Sequence, residues 1–123
     1  MMLGKRLLLV TCLLGSSGLA HAEGDATKGK TLFSRCAACH ATGSQNKVGP
    51  GLAGIIGRPA ASAPGFRYSK AMTGSGLTWT EEQLDTYLAG PAKAVPGTTM
   101  AVAVPNAQDR SDIIAFLKTL NAQ

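Results

Sequence analysis

The chain has 123 residues, 45% of them hydrophobic and 15% charged, with a formal charge of +5. That length suits one domain rather than two, and the composition excludes a disordered charged tail and a fibrous repeat. The basic residues are scattered, which argues against nucleic acid as a partner, and three cysteines are too few for a disulfide scaffold.

The chain opens with Lys5 and Arg6, then an apolar run from Leu7 to Leu14, then Gly15 to Gly18 and the small-x-small triplet Ala20-His21-Ala22. This order predicts a cleavable secretory signal over residues 1–22, cut before Glu23. The apolar run is well short of the ~20 residues that span a bilayer. A lipoprotein signal on Cys12 competes with this reading. Thr11 stands before Cys12 where a small residue is usual, and the apolar run continues past it. An uncleaved anchor is a further alternative. Residues 23–123 form the expected domain. They carry ten basic and seven acidic side chains, one histidine, and two cysteines.

A helix is expected from about Asp25 to Ala38, with Asp25 as N-cap. Ala26, Gly29, Leu32, Phe33 and Cys36 recur at three- and four-residue spacing on one face. Gly29 costs a helix ~1 kcal/mol relative to Ala, so its presence predicts close approach by another element. The partner proposed is the last helix, with Phe33 and Phe116 in the contact.

The helix runs into Cys36-Ala37-Ala38-Cys39-His40. C-x-x-C-H is the signature for covalent attachment of a c-type haem. Two thiols three residues apart reach the two vinyl groups on one porphyrin edge, and the adjacent imidazole faces the iron. A thioredoxin-like pair needs a βαβ setting that is not visible here. A closed zinc site takes about four ligands, and the domain offers three Cys and His side chains in all. A plain disulfide is the remaining rival.

Residues 41–68 hold no sustained period and are interrupted by glycine and proline from Gly43 to Gly65. Residues 91–107, with Pro91, Pro96, Gly97 and Pro105, read the same way. Loops this long are uncommon in a small domain, and they fit a chain wrapped around a buried apolar cofactor. Between them, Ser69 to Thr73 reads as one short turn. A middle helix begins near Thr80, where Thr80 and Gln83 suit a capping box and Glu81 and Glu82 complement the helix dipole. Leu84, Tyr87 and Leu88 are expected to face inward, and Gly90-Pro91 to end the helix. The last helix, Ala107 to Leu120, presents Ile113, Ile114, Phe116, Leu117 and Leu120. No strand is expected.

With His40 on one side of the iron and no second histidine in the domain, the soft donors left for the other side are Met72 and Met100. Met72 reads as core filler. Met100 follows Pro96-Gly97-Thr98-Thr99 in a loop and is the expected sixth ligand. His/Met ligation closes both axial positions and raises the potential, which favours one-electron transfer. The competing reading is a haem peroxidase or ligand-binding haem protein with an open sixth site, and Met100 argues against it.

The domain resembles the class I cytochromes c, the mitochondrial type and its bacterial relatives, over nearly all of residues 24–120. The resemblance rests on Gly24-Asp25 through Gly29-Lys30 and Phe33, the Cys36 to His40 motif, Lys47-Val48-Gly49-Pro50-Gly51-Leu52 and Gly57-Arg58. It continues through Ala63-Pro64-Gly65-Phe66-x-Tyr68, Leu77-Thr78-Trp79, Tyr87-Leu88, Pro91 and Pro96-Gly97-Thr98-x-Met100. It implies an all-α fold of three main helices with long loops around one covalently bound haem c. It also implies that the Pro50 carbonyl meets the second ring nitrogen of His40. Arg58, Tyr68 and Trp79 would bond the haem propionates, and Tyr87 would sit near the Met100 sulfur.

The implied function is electron carriage in the periplasm, not enzymatic catalysis. The protein would be a soluble monomer without stable membrane insertion or nucleic-acid binding. Its transient partners would be a membrane donor complex and an oxidase, reductase or photosynthetic acceptor. Two departures bear on docking. Val102 stands where the family often has an aromatic, and residues 101–108 carry no lysine. A modest positive face of Lys28, Lys30, Arg35, Lys47 and Lys93 remains.

Overall fold

The structure, a computed structural model, describes residues 23–122. The expected signal segment, residues 1–22, lies outside the described residues. Among the described residues the chain is helical, and its β-structure is limited to an isolated bridge between Pro59 and Thr78.

Helix α1 spans Ala26–Leu32. Asp25 caps it, its carboxylate accepting from the Thr27 and Lys28 amides at 2.9 and 3.0 Å. The single helix expected to Ala38 tightens for one residue at Phe33 and resumes as α2, Ser34–Ala37. There the amide of Cys36 donates to the Phe33 carbonyl three residues back, at 2.8 Å. Tightening to this shorter spacing is a common adjustment near helix ends.

Helix α6, Ala107–Thr119, crosses α1 where the sequence predicts. A Cβ on Gly29 would overlap the Asp112 carbonyl, so only glycine admits this approach. Phe33 and Phe116 meet with ring centroids 5.2 Å apart, a tilted aromatic contact. Asp112, buried within α6, accepts from the Asp25 amide at 2.8 Å and from Gln108 Nε2 at 3.0 Å. A 3₁₀ turn at Leu120–Ala122 ends the described residues.

Helix α3, Lys70–Thr73, is the short turn after Ser69, whose hydroxyl caps the Met72 amide. Helix α4, Glu81–Ala89, starts at Thr80, whose side chain accepts from the Gln83 amide at 3.0 Å. The reciprocal bond of a full capping box is absent, because the Thr80 amide donates to the Thr78 carbonyl instead. Leu84, Tyr87 and Leu88 are buried. Gly90 ends α4, but Pro91 then begins a further helix, α5, Pro91–Ala94, inside a segment expected to be loop throughout. Proline at the first helical position lacks only an N–H that has no intrahelical partner there.

The long loops are tied across the molecule. The backbones of Arg58 and Trp79 pair through the Trp79 amide and the Arg58 carbonyl at 2.9 Å. Asn46 links the 40s loop to the 60s, donating from Nδ2 to the Pro64 carbonyl at 2.8 Å and accepting from the Gly51 amide at 3.2 Å.

Candidate haem-binding site

The helices and loops surround a cavity of about 460 Å³, within the ~300–1,000 Å³ typical of ligand and cofactor sites. Its lining is mostly apolar, including Leu52, Ile55, Leu84, Ile113 and Leu117. The sequence-expected residues Cys36, Cys39, His40, Pro50, Arg58, Tyr68, Trp79, Tyr87 and Met100 all line it. So does Met72, which is buried in the core.

Cys36 in α2 and Cys39 in the turn that follows it are half-buried thiols, with no disulfide between them. Burial pushes the Cys36 thiol up from its ordinary range, with neighbouring Arg35 opposing and Cys39 adding to the rise. His40 follows at once, its amide bonded to the Cys36 carbonyl at 2.8 Å.

The His40 ring is tightly specified. Nδ1 lies 2.7 Å from the Pro50 carbonyl. A carbonyl only accepts, so Nδ1 carries the proton and Nε2 of the neutral ring keeps its lone pair. Beside it, a Cβ on Gly49 would overlap the imidazole. The Gly49 amide donates to the Cys39 carbonyl at 2.8 Å, which holds the 47–51 loop against the ring.

Arg58 donates from Nη1 to the Ala53 carbonyl and from Nη2 to the Gly51 carbonyl, both at 3.0 Å. Two of its five donors are thereby used. Burial lowers its pKa and nearby Tyr68 opposes the shift. The Tyr68 hydroxyl accepts from the Ala63 amide at 3.0 Å, so its proton is left to donate elsewhere. Trp79 is buried, its ring 4.9 Å from that of Tyr87. The Tyr87 hydroxyl is 2.7 Å from Thr98 Oγ1; burial raises its pKa and this bond offsets part of the rise. Thr98 therefore joins the site as a partner of Tyr87. In the sequence Thr98 stands only as part of the Pro96-Gly97-Thr98-x-Met100 motif, with no role of its own assigned.

The donor set fits a haem. An imidazole with a free Nε2 and a thioether are soft-to-borderline iron ligands. Paired thiols stand beside the imidazole. The charged residues that line the cavity, Arg35, Arg58 and Arg67, are all cationic, which suits a group bearing carboxylates. Asn46 and Thr98 have no chemical signature that would mark them in a sequence; their roles come from loop-to-loop contact.

An apolar pocket of this size, with a preset imidazole, a thioether and cationic side chains, defines the class: an iron–porphyrin protein. A family model described as Cytochrome c matches residues 26–121. Cytochrome c2 of Rhodomicrobium vannielii is 46% identical over 121 residues, covering 96% of this chain and 97% of that protein. Cytochrome c2 of Blastochloris viridis is 40% identical over 121 residues, covering 96% and 95%. Among solved structures, cytochrome cH from Methylobacterium extorquens superimposes with a TM-score of 0.75 at 44% identity, covering 78% of this chain and 99% of that one. The chain belongs to the cytochrome c family, as a class I c-type cytochrome. It is an electron-transport protein with the cytochrome c fold and haem c as its cofactor, and not an enzyme.

Proposed function

We propose that the chain holds one haem c, joined by thioether bonds to Cys36 and Cys39, with His40 Nε2 and the Met100 sulfur as axial ligands. The reading is carried by the meeting of all four side chains on one apolar cavity, with the His40 tautomer set by Pro50. Iron held in this way supplies one-electron chemistry between ferric and ferrous states.

The chain's own residues orient, desolvate and neutralise. Pro50 fixes the imidazole plane and strengthens its donation, as hydrogen-bonded partners of ligating histidines do. Arg58 and Tyr68 keep donors free for the propionates, and Trp79 is assigned the same task. Tyr87, tied to Thr98, steadies the loop beside Met100. The apolar lining would shield a bound haem from water.

Residues 1–22 serve as the export signal, and the mature protein works in the periplasm as a soluble carrier between a membrane donor complex and an oxidase, reductase or photosynthetic acceptor. The docking face is the rim of the cavity. Val48 and Val102 are the large exposed hydrophobic side chains of the described residues, at 78% and 47% exposure, and both line that cavity. Two members of the expected positive face are already engaged. Lys47 Nζ donates to the Ala37 carbonyl at 2.6 Å, and Arg35 pairs with Asp109 at 3.8 Å. Only the Arg35 pair offsets charge, since the Lys47 bond to a neutral carbonyl leaves its ammonium charge for steering; Val48 and Val102 add apolar contact at the rim.

The test is the visible spectrum of the exported protein, including the weak sulfur-to-iron band of the ferric form. Met100→Ala is expected to lose that band and to bind cyanide readily. A variant that keeps the band would show that Met100 is not the ligand.

A further inference from the structure

Met100 lies within a stretch that makes no backbone hydrogen bonds. Among the described residues none reaches Thr99, Met100, Ala101, Val102 or Ala103. Four of the five, all but Met100, are exposed. The stretch is fixed at its two ends. Upstream, Thr98 bonds Tyr87 through its hydroxyl, and its amide donates to the Val95 carbonyl at 2.9 Å. Downstream, the Val104 side chain is almost wholly buried, and its amide donates to the Leu88 carbonyl at 2.7 Å.

A single guanidinium completes the downstream anchor. Arg110, in the first turn of α6, donates from Nη1 to the carbonyls of Val104 and Pro105, both at 2.9 Å. Its Nε donates to Asp85 Oδ1 of α4 at 2.7 Å. The Arg110 side chain is only 12% exposed. Exposed ion pairs contribute little, but this one is largely shielded on the arginine side and charge-assisted. It also satisfies the part-buried Val104 carbonyl, which would otherwise lose a partner. One side chain therefore joins α6, α4 and the chain leading back to Met100. With both ends held, only five residues are left free to move, which limits the entropy gained when Met100 swings away.

The geometry points to Arg110, backed by Asp85, as a positioning residue that holds the downstream end of the Met100 loop and so sets how readily Met100 leaves the iron. This rests on the reading of Met100 as axial ligand. Lysine is a poor substitute, because one ammonium on a flexible stem does not reproduce the fixed directions of Nε and Nη1.

The test is titration of the ferric holoprotein with imidazole, followed by loss of the sulfur-to-iron band. Imidazole competes with Met100, so its apparent affinity scales with the fraction in which Met100 has left. Arg110→Gln is expected to bind imidazole about tenfold more tightly than wild type, with smaller gains for Arg110→Lys and Asp85→Asn. Asp112→Asn, which weakens the α1–α6 junction away from the loop, should leave imidazole affinity unchanged. Faster amide exchange at Val104 in Asp85→Asn should accompany the gain, measured without imidazole. Because Asp85 is half-exposed, its variant keeps the test open if Arg110→Gln fails to fold. Wild-type affinity in both Asp85→Asn and Arg110→Lys overturns the proposal. An equal gain in Asp112→Asn also overturns it, by reducing the effect to general destabilisation. A wild-type protein without the band removes the ligand reading and this proposal together.

Discussion

His40 is constrained on two sides by groups that have no reactive chemistry. The Pro50 carbonyl decides which ring nitrogen carries the proton, and the bare Cα of Gly49 leaves room for the ring. Glycine at position 49 is thus required by space. Gly49→Ala would press a methyl group into the imidazole, with overpacking strain of about 1–3 kcal/mol. The expected result is a lower melting temperature together with a disturbed ferric spectrum, checked by thermal unfolding followed in the haem absorption. A variant with wild-type stability and spectrum would show that the loop can withdraw without cost. The Cys36 to His40 motif was visible in the sequence, because its candidate side chains are adjacent along the chain. The role of Thr98 was not, because its partner Tyr87 is eleven residues away and the bond depends on how α4 meets the loop.

At the scale of elements, the α1–α6 junction carries a pH signature. Asp112 lies below the usual carboxylate range, chiefly because the Asp25 amide donates to it, with Gln108 adding to the effect and burial opposing. A group whose folded pKa is depressed stabilises the fold fully above its unfolded pKa, near 3.8. That contribution is lost as pH falls through the folded value. Asp112→Asn is therefore expected to be less stable than wild type at neutral pH, with the gap narrowing as the medium is acidified below about pH 4. Denaturant unfolding at several pH values measures this, and a gap that does not change with pH would remove the charged form of Asp112 from the account. The crossing itself was readable from Gly29 and the spacing of Phe33 and Phe116. The break at Phe33 and the added helix α5 were not. Both are local adjustments of a turn or less, and periodicity resolves segments longer than that.

At the scale of the whole molecule, the core is built around a space that the chain does not fill. Phe33, Leu84, Ile113 and Leu117 are buried against one another and also line the cavity. A protein of this size has little apolar surface to spare, so a cofactor at its centre forms part of the core. Cys36→Ala/Cys39→Ala made without haem is expected to be largely unfolded, seen as weak helical circular dichroism and poor protection of α6 amides. Native-like helicity with a sharp unfolding transition in that variant would mean that the polypeptide packs sufficiently by itself.

The sequence alone determined the helical class and the family, and it marked the candidate haem residues Cys36, Cys39, His40 and Met100. These depend on residue type and short spacing, which survive as a linear string. Tertiary structure alone decided what holds those groups in place. The Arg110 fork onto the Met100 loop, the Asn46 link between loops and the backbone pairing of Arg58 with Trp79 join residues from separate segments. Directional bonds of a few ångströms between such segments exist only after packing has brought them together.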